Sequence, residues 1–209
     1  MIVTLDGRRL LLPPSPGSTL RTLIDQVRAD LPPDRLVVSV VRNGELLIDR
    51  ELEEWLARPL SAADRVDLAT ADRRELTAEA LREVAGRIGA AGREQERLAG
   101  QLNRGQTTEA VGQFSAFVAS FQACRQVIAQ SSDLLGRDLT AESSEGRTVG
   151  AHLEELAERL REVRDALEAG DYVLLADLLH YELPPLCQTW ARLLESLADS
   201  IAPRPGAGS

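Results

Sequence analysis

Leu36-Val37-Val38-Ser39-Val40-Val41-Arg42-Asn43-Gly44-Glu45-Leu46 is the stretch on which the reading of the fold turns. Its first half is a β-branched run long enough for one buried strand over 36–41. Asn43-Gly44 supplies the positive φ angles of a tight hairpin turn into Leu46-Leu47-Ile48. Upstream, Ile2-Val3-Thr4-Leu5 and Arg8-Arg9-Leu10-Leu11-Leu12 flank Asp6-Gly7, a second hairpin signal. Pro13 to Gly17 break that strand, and Ser18 or Thr19 can cap a helix in which Leu20, Leu23, Ile24, Val27 and Leu31 recur at helical spacing until Pro32-Pro33 stops it. Downstream, residues 51–60 form a short helical or looped connection, with Trp55 and Leu56 covering the open end of the core. Arg65-Val66-Asp67-Leu68-Ala69 then alternates as a half-buried last strand.

The order strand, strand, helix, strand, short strand, strand is that of the β-grasp fold. Val3-Thr4-Leu5-Asp6-Gly7, Thr19-Leu20-Arg21-Thr22-Leu23-Ile24, Val38 to Leu46, Arg50 and Leu60-Ser61-Ala62-Ala63-Asp64-Arg65-Val66-Asp67-Leu68 follow one another as in the thiamine-type sulfur carriers. Over residues 2–68 the chain resembles that branch of the ubiquitin-like superfamily. The resemblance implies a β-grasp head. It also implies a carrier chemistry in which a free terminal glycine carboxylate is adenylylated and becomes a thiocarboxylate. Two departures bear on this. Ala63 stands before Asp64 where the family usually has glycine, and the terminal Gly-Gly is missing. The last strand runs on through Ala69-Thr70-Ala71-Asp72-Arg73-Arg74-Glu75, and Pro205-Gly206-Ala207-Gly208-Ser209 offers no substitute. Sulfur carriage is therefore not expected.

The 209 residues, 44% hydrophobic, suffice for two modest cores. The expected organisation is α+β: a β-grasp domain over 1–71, an all-α antiparallel four-helix bundle over 72–203, and a disordered tail over 204–209. The net charge of −9 divides unevenly, −2 over residues 1–71 and −7 over the remainder. An acidic helical half repels phosphate backbones and anionic membranes, so neither nucleic acid nor a membrane is an expected partner. All 24 basic residues are arginine. Without lysine there is no Schiff-base chemistry and no P-loop lysine. The N-terminus lacks the pattern of a signal peptide, and no apolar stretch nears the length of a membrane span, which makes the cytoplasm the expected compartment.

From Leu76 onward the pattern is helical. Thr77 can cap a helix carrying Leu81, Val84, Ile88, Leu98 and Leu102, which Gly86, Gly89 and Gly92 weaken enough to predict a bend or fraying near Gly92. A second helix from Thr107 or Thr108 places Ala110, Phe114, Phe117, Phe121, Cys124, Ile128 and Leu135 on one seam. Residues 136–148, including Ser143-Ser144-Glu145-Gly146, read as a polar loop. Val149, Leu153, Leu156, Leu160, Val163 and Leu167 give a third seam ended by Gly170, and Asp171 caps a last helix carrying Leu174, Leu175, Leu178, Leu179, Leu183, Leu186 and Trp190. Self-association through these seams into a homodimer is the competing architecture.

The most distinctive string is Asp171-Tyr172-Val173-Leu174-Leu175-Ala176-Asp177-Leu178-Leu179-His180-Tyr181-Glu182-Leu183-Pro184-Pro185. Its prolines predict a kink or a fresh helix start, with freed carbonyls available to a partner or to water. Asp177, His180 and Glu182, with Cys187 beyond, are the one set resembling metal ligands, but Asp177 and His180 share a helix face that Glu182 does not, and His152 lies in no Glu-x-x-His motif. No metal or other cofactor and no catalytic residue is assigned. Cys124 and Cys187 form no C-x-x-C pair and read as buried thiols, with a disulfide or a reactive thiol as the alternative. The sequence thus points to a non-enzymatic interaction or adaptor protein binding a protein partner, with Asp177, His180, Tyr181, Glu182, Pro184 and Pro185 as candidate contact residues. The alternatives are a helical export or assembly chaperone and a non-conjugating accessory subunit of sulfur or cofactor biosynthesis.

Overall fold

A computed structural model of the chain describes residues 1–11, 18–103, 107–144 and 146–203, with all their side chains except those of 96, 99, 101–103 and 107–116. The strand break at Pro13 to Gly17, the seam side chains of Leu102, Ala110 and Phe114, Glu145 and the tail 204–209 lie outside the described residues. The architecture is α+β, in two compact units, Met1–Leu76 and Thr77–Ser209.

The first unit is a five-stranded mixed sheet with two helices. Strand β1 (Ile2–Leu5) turns at Asp6 and Gly7, both at positive φ, into β2 (Arg8–Arg9), and β3 (Arg35–Arg42) turns at Asn43 and Gly44, again both positive, into β4 (Glu45–Leu46). Helix α1 (Leu20–Asp30) opens on a capping box: the Thr22 N–H donates to Thr19 Oγ1 and the Thr19 N–H to Thr22 Oγ1. A short helix, α2 (Asp49–Leu56), precedes β5 (Arg65–Asp72). The sheet order is β2-β1-β5-β3-β4, with β1 parallel to β5 and every other pair antiparallel. The last strand therefore lies in the middle. The Asp6 carboxylate accepts from both the N–H and Oγ1 of Thr70, each 2.7 Å away, which ties the first turn to β5 and holds the Asp6 carboxyl below its ordinary pKa.

The expected buried strand over 36–41 needs correction. Val40 is 5% exposed, but Val38 is 49% exposed. The register with β5 slips between Val37 and Ser39, so Val38 is the extra residue of a β-bulge. In a regular strand Val37 and Val40 would face opposite sides of the sheet. The bulge resets the alternation, and both join the core of Val3, Leu20, Leu23, Ile24, Val66 and Leu68.

A partly buried ion pair joins β3 to the turn before β5. Asp64, 4% exposed, accepts from Arg42 Nη2 at 2.6 Å, from the Ser61 N–H at 2.7 Å and from Asn43 Nδ2 at 3.2 Å. Burial works to raise its pKa, but the Ser61, Asn43 and Arg42 donors outweigh it and hold the carboxyl low. The same Arg42 guanidinium lies 3.6 Å from the centroid of the Trp55 ring, with Arg58 at 4.5 Å from that centroid.

Helix α3 (Arg73–Asn103) starts directly after β5, four residues before the expected Thr77 cap. Asp72 supplies the cap, its Oδ1 accepting from the N–H groups of Arg74 and Glu75, while Thr77 is buried inside the first turns. The helix assignment runs unbroken through Gly92. A Cβ built there would meet Cys187 Cβ at 2.7 Å, so the glycine permits close packing. Gly86, Gly89 and Gly92 line one wall of a groove of about 780 Å³ whose other wall carries Pro184, Cys187 and Ala191.

Helices α4 (Thr107–Leu135) and α5 (Val149–Ala169) bury the predicted Phe117, Phe121, Cys124 and Ile128, and Val149, Leu156 and Val163. The expected polar loop between them is structured. A 3₁₀ turn over Leu139–Ala141 places Leu139 wholly inside the core, and strands β6 (Ser143–Ser144) and β7 (Arg147–Thr148) pair across Gly146. No helix among the described residues is long and apolar enough to cross a membrane.

Candidate functional site

The distinctive string of the sequence forms the entry to the last helical run. Gly170 ends α5 at φ 66°, and its N–H donates to the carbonyls of Ala166 and Leu167. The Asp171 carboxylate then accepts from the Leu174 N–H at 2.9 Å and caps α6 (Tyr172–Asp177). A fresh helix start follows at the prolines, as expected, without a side-chain cap. Residues Leu178–Glu182 form a π-helical turn, in which the Leu183 N–H donates to the Leu178 carbonyl five residues back, and α7 (Leu183–Ile201) carries Pro184 and Pro185 in its first turn. The prolines bring no N–H and would clash with carbonyls four residues earlier in an α-helix. A wider turn removes that clash and lets the run continue, a device found often at functional sites.

This segment divides sharply by exposure. Leu175, Ala176, Leu178, Leu179 and Leu183 are buried in the helical core. Tyr172 (42%), Val173 (74%), Leu174 (45%) and Tyr181 (66%) are exposed, and they are all the large hydrophobics of the second unit exposed among the described residues. Leu174 was expected in the seam. Tyr172-Val173-Leu174-Leu175 is four apolar residues in succession, more than one amphipathic face can hide, and that run is the signal from which the ridge could have been read.

The carboxylates of Asp171, Asp177 and Glu182 stand in the same exposed segment. Glu182 lies 3.5 Å from Arg159 of α5, whereas Asp177 makes no ion pair or hydrogen bond among the described residues. His180 packs edge-to-face on Tyr181, with ring centroids 4.5 Å apart. Pro184 is half-buried and Pro185 exposed. The structure thus gathers Asp177, His180, Tyr181 and Glu182 on one exposed stretch and separates them from Cys187, which is 1% exposed beneath Gly92. Among the described residues no three His, Cys, Asp or Glu side chains stand together as metal ligands would. His152 is a core residue, 6% exposed against Trp190.

Both cysteines are free and buried. Burial pushes the Cys187 thiol up to about 12, and burial together with neighbouring Cys187 drives Cys124 higher still. Such thiols are neutral packing groups. The arrangement at α6 is a cluster of exposed aromatic and aliphatic side chains, rimmed by carboxylates, on a helical run.

No curated protein and no solved structure matches the chain. A family model does, over residues 79–193, a span that takes in α4, α5, the ridge and the π-helical turn. Since that match covers more than half of its residues, the chain belongs to the family described as a domain of unknown function, DUF8042.

Proposed function

We propose that the protein is a non-enzymatic, cytoplasmic adaptor that holds a protein partner on the α6 ridge and carries a β-grasp head of ubiquitin-like type. The observation that carries this reading is the ridge itself, four large apolar side chains exposed within ten residues. A monomeric surface seldom leaves such a cluster in water without use. Its partner is a basic amphipathic helix: the ridge supplies apolar area, and Asp171, Asp177 and Glu182 within a half of net charge −7 attract arginine and lysine flanks.

The sheet order, with β1 and β5 parallel at the centre and α1 packed on one face, supports the β-grasp reading of the head. In this chain β5 leads directly into α3 where a carrier would present its glycine carboxylate, which supports a binding role in place of conjugation or sulfur transfer.

The test is affinity capture from lysate with the wild-type full chain and a Val173→Asp/Tyr181→Ala variant side by side. Both substitutions are at exposed positions and leave stability within about 0.5 kcal/mol. The expected result is a partner retained by wild type, lost from the variant, and released as salt rises. Identical captured sets would sink the proposal.

A further inference from the structure

Strand β3 has a full neighbour on one side only. β5 accompanies it from Arg35 to Arg42, whereas β4 pairs with Val41 and Arg42 alone, and one further bond runs from the Leu47 N–H to the Val40 carbonyl. Among the described residues, 35–39 therefore have no strand on their outer side. An unpaired edge of this kind is a template for an incoming extended chain.

Beside the edge lies a groove of about 170 Å³ between β3 and α1. Val37, Val38 and Leu47 are among its apolar lining, and Arg21, Asp25 and Arg28 of α1 stand on its rim. Val38, pushed out by the bulge, is half exposed at this point. Arg21 and Arg28 are exposed, and their side chains make no ion pair or hydrogen bond among the described residues. Asp25 between them is likewise unpaired, so the rim carries a net positive charge in a chain of net charge −9. Seven residues of helix separate the two guanidinium-bearing positions by about 10 Å. An extended chain covers that span in about three residues.

We propose that this edge and groove dock an extended acidic peptide, which adds as a strand beside residues 35–39, sets one apolar side chain into the groove and places carboxylates against Arg21 and Arg28. Backbone hydrogen bonds along the edge would give affinity, and the two arginines would select charge. This second surface is independent of the α6 ridge and stands whether or not the ridge binds its helix.

The experiment is panning of a random dodecapeptide display library against the full chain. Enriched sequences should set aspartate or glutamate on either side of an apolar residue. Their affinity should fall at least about tenfold in Arg21→Glu/Arg28→Glu and in Val38→Lys, and stay unchanged in Val173→Asp. With a synthetic copy of the enriched peptide at saturation, amide hydrogen exchange over residues 36–39 should slow by about tenfold or more. Absence of enrichment, enrichment of basic or uncharged peptides, or undiminished binding by the charge-reversed variant would each overturn the proposal. So would a peptide-free dimer in sedimentation that Val38→Lys dissociates, because the occupant of the edge would then be a second copy of the chain.

Discussion

Alanine in place of Gly86 and alanine in place of Gly92 are the same chemical change in the same helix, yet the packing of α3 against α7 predicts different consequences. In a helix interior alanine is favoured over glycine by about 1 kcal/mol. Around Gly86 nothing lies within 4 Å of an added Cβ, so Gly86→Ala should keep that gain. At Gly92 the new methyl would stand 2.7 Å from Cys187 Cβ and 3.4 Å from its Sγ. Ordinary carbon contacts are about 3.5–4.0 Å, so the two helices must part by roughly 1 Å. Because Cys187 Cβ is bonded to the α7 backbone, no rotamer change relieves the overlap. Overpacking of this kind costs about 1–3 kcal/mol, which leaves Gly92→Ala between neutral and about 2 kcal/mol destabilising. The two variants should therefore differ by roughly 1–3 kcal/mol, with Gly86→Ala the more stable. Urea unfolding followed by Trp190 fluorescence in a Trp55→Phe background reads this directly, since the chain has two tryptophans and Trp190 is wholly buried in the helical core. Equal stabilisation by both alanines would refute the close contact.

Asp64→Asn should cost the first unit roughly 2 kcal/mol at neutral pH, through loss of the charged hydrogen bonds to Arg42 and Ser61. Because the folded carboxyl is held below the ordinary carboxylate range, its contribution is complete above the unfolded value and disappears as pH falls through the lower folded one. The gap between wild type and variant should thus begin to narrow below about pH 4 and close only as pH falls through the lower folded value, and a gap that does not narrow with acid would count against the assignment. Leu139→Ala should destabilise the helical unit by about 2–5 kcal/mol in the same unfolding assay, although it lies in a segment of polar composition.

The local chemistry of the head was legible in its sequence. Asp6-Gly7 and Asn43-Gly44 mark both hairpin turns, and the spacing from Leu20 to Val27 marks α1 and its buried face. Pairing between distant strands was not legible, since nothing local in Ile2–Leu5 says that it lies parallel to residues 65–68. The bulge at Val38 was hidden for a related reason: it is a register adjustment between two strands, not a property of one. In the helical half, Asp72 and Thr77 are both competent caps, and only the packing of Thr77 inside the helix decides between them. Leu139 is a lone apolar residue among polar ones, so periodicity had nothing to detect. At the candidate site the prolines correctly marked a disturbance. Its form, a π-helical turn, depends on keeping Leu175, Leu179 and Leu183 in one core, which a sequence pattern does not weigh.

The central place of β5 has a consequence in time. At about 5–20 residues per second, translation of the 22 residues between the end of β3 and the start of β5 takes roughly 1–4 s. Through that interval β1 and β3 are complete but lack the strand that must lie between them. The two hairpins then exist as separate, marginal pieces with open edges. The head of this protein consequently spends its synthesis as an unfinished sheet, and it becomes a domain only when its last strand arrives.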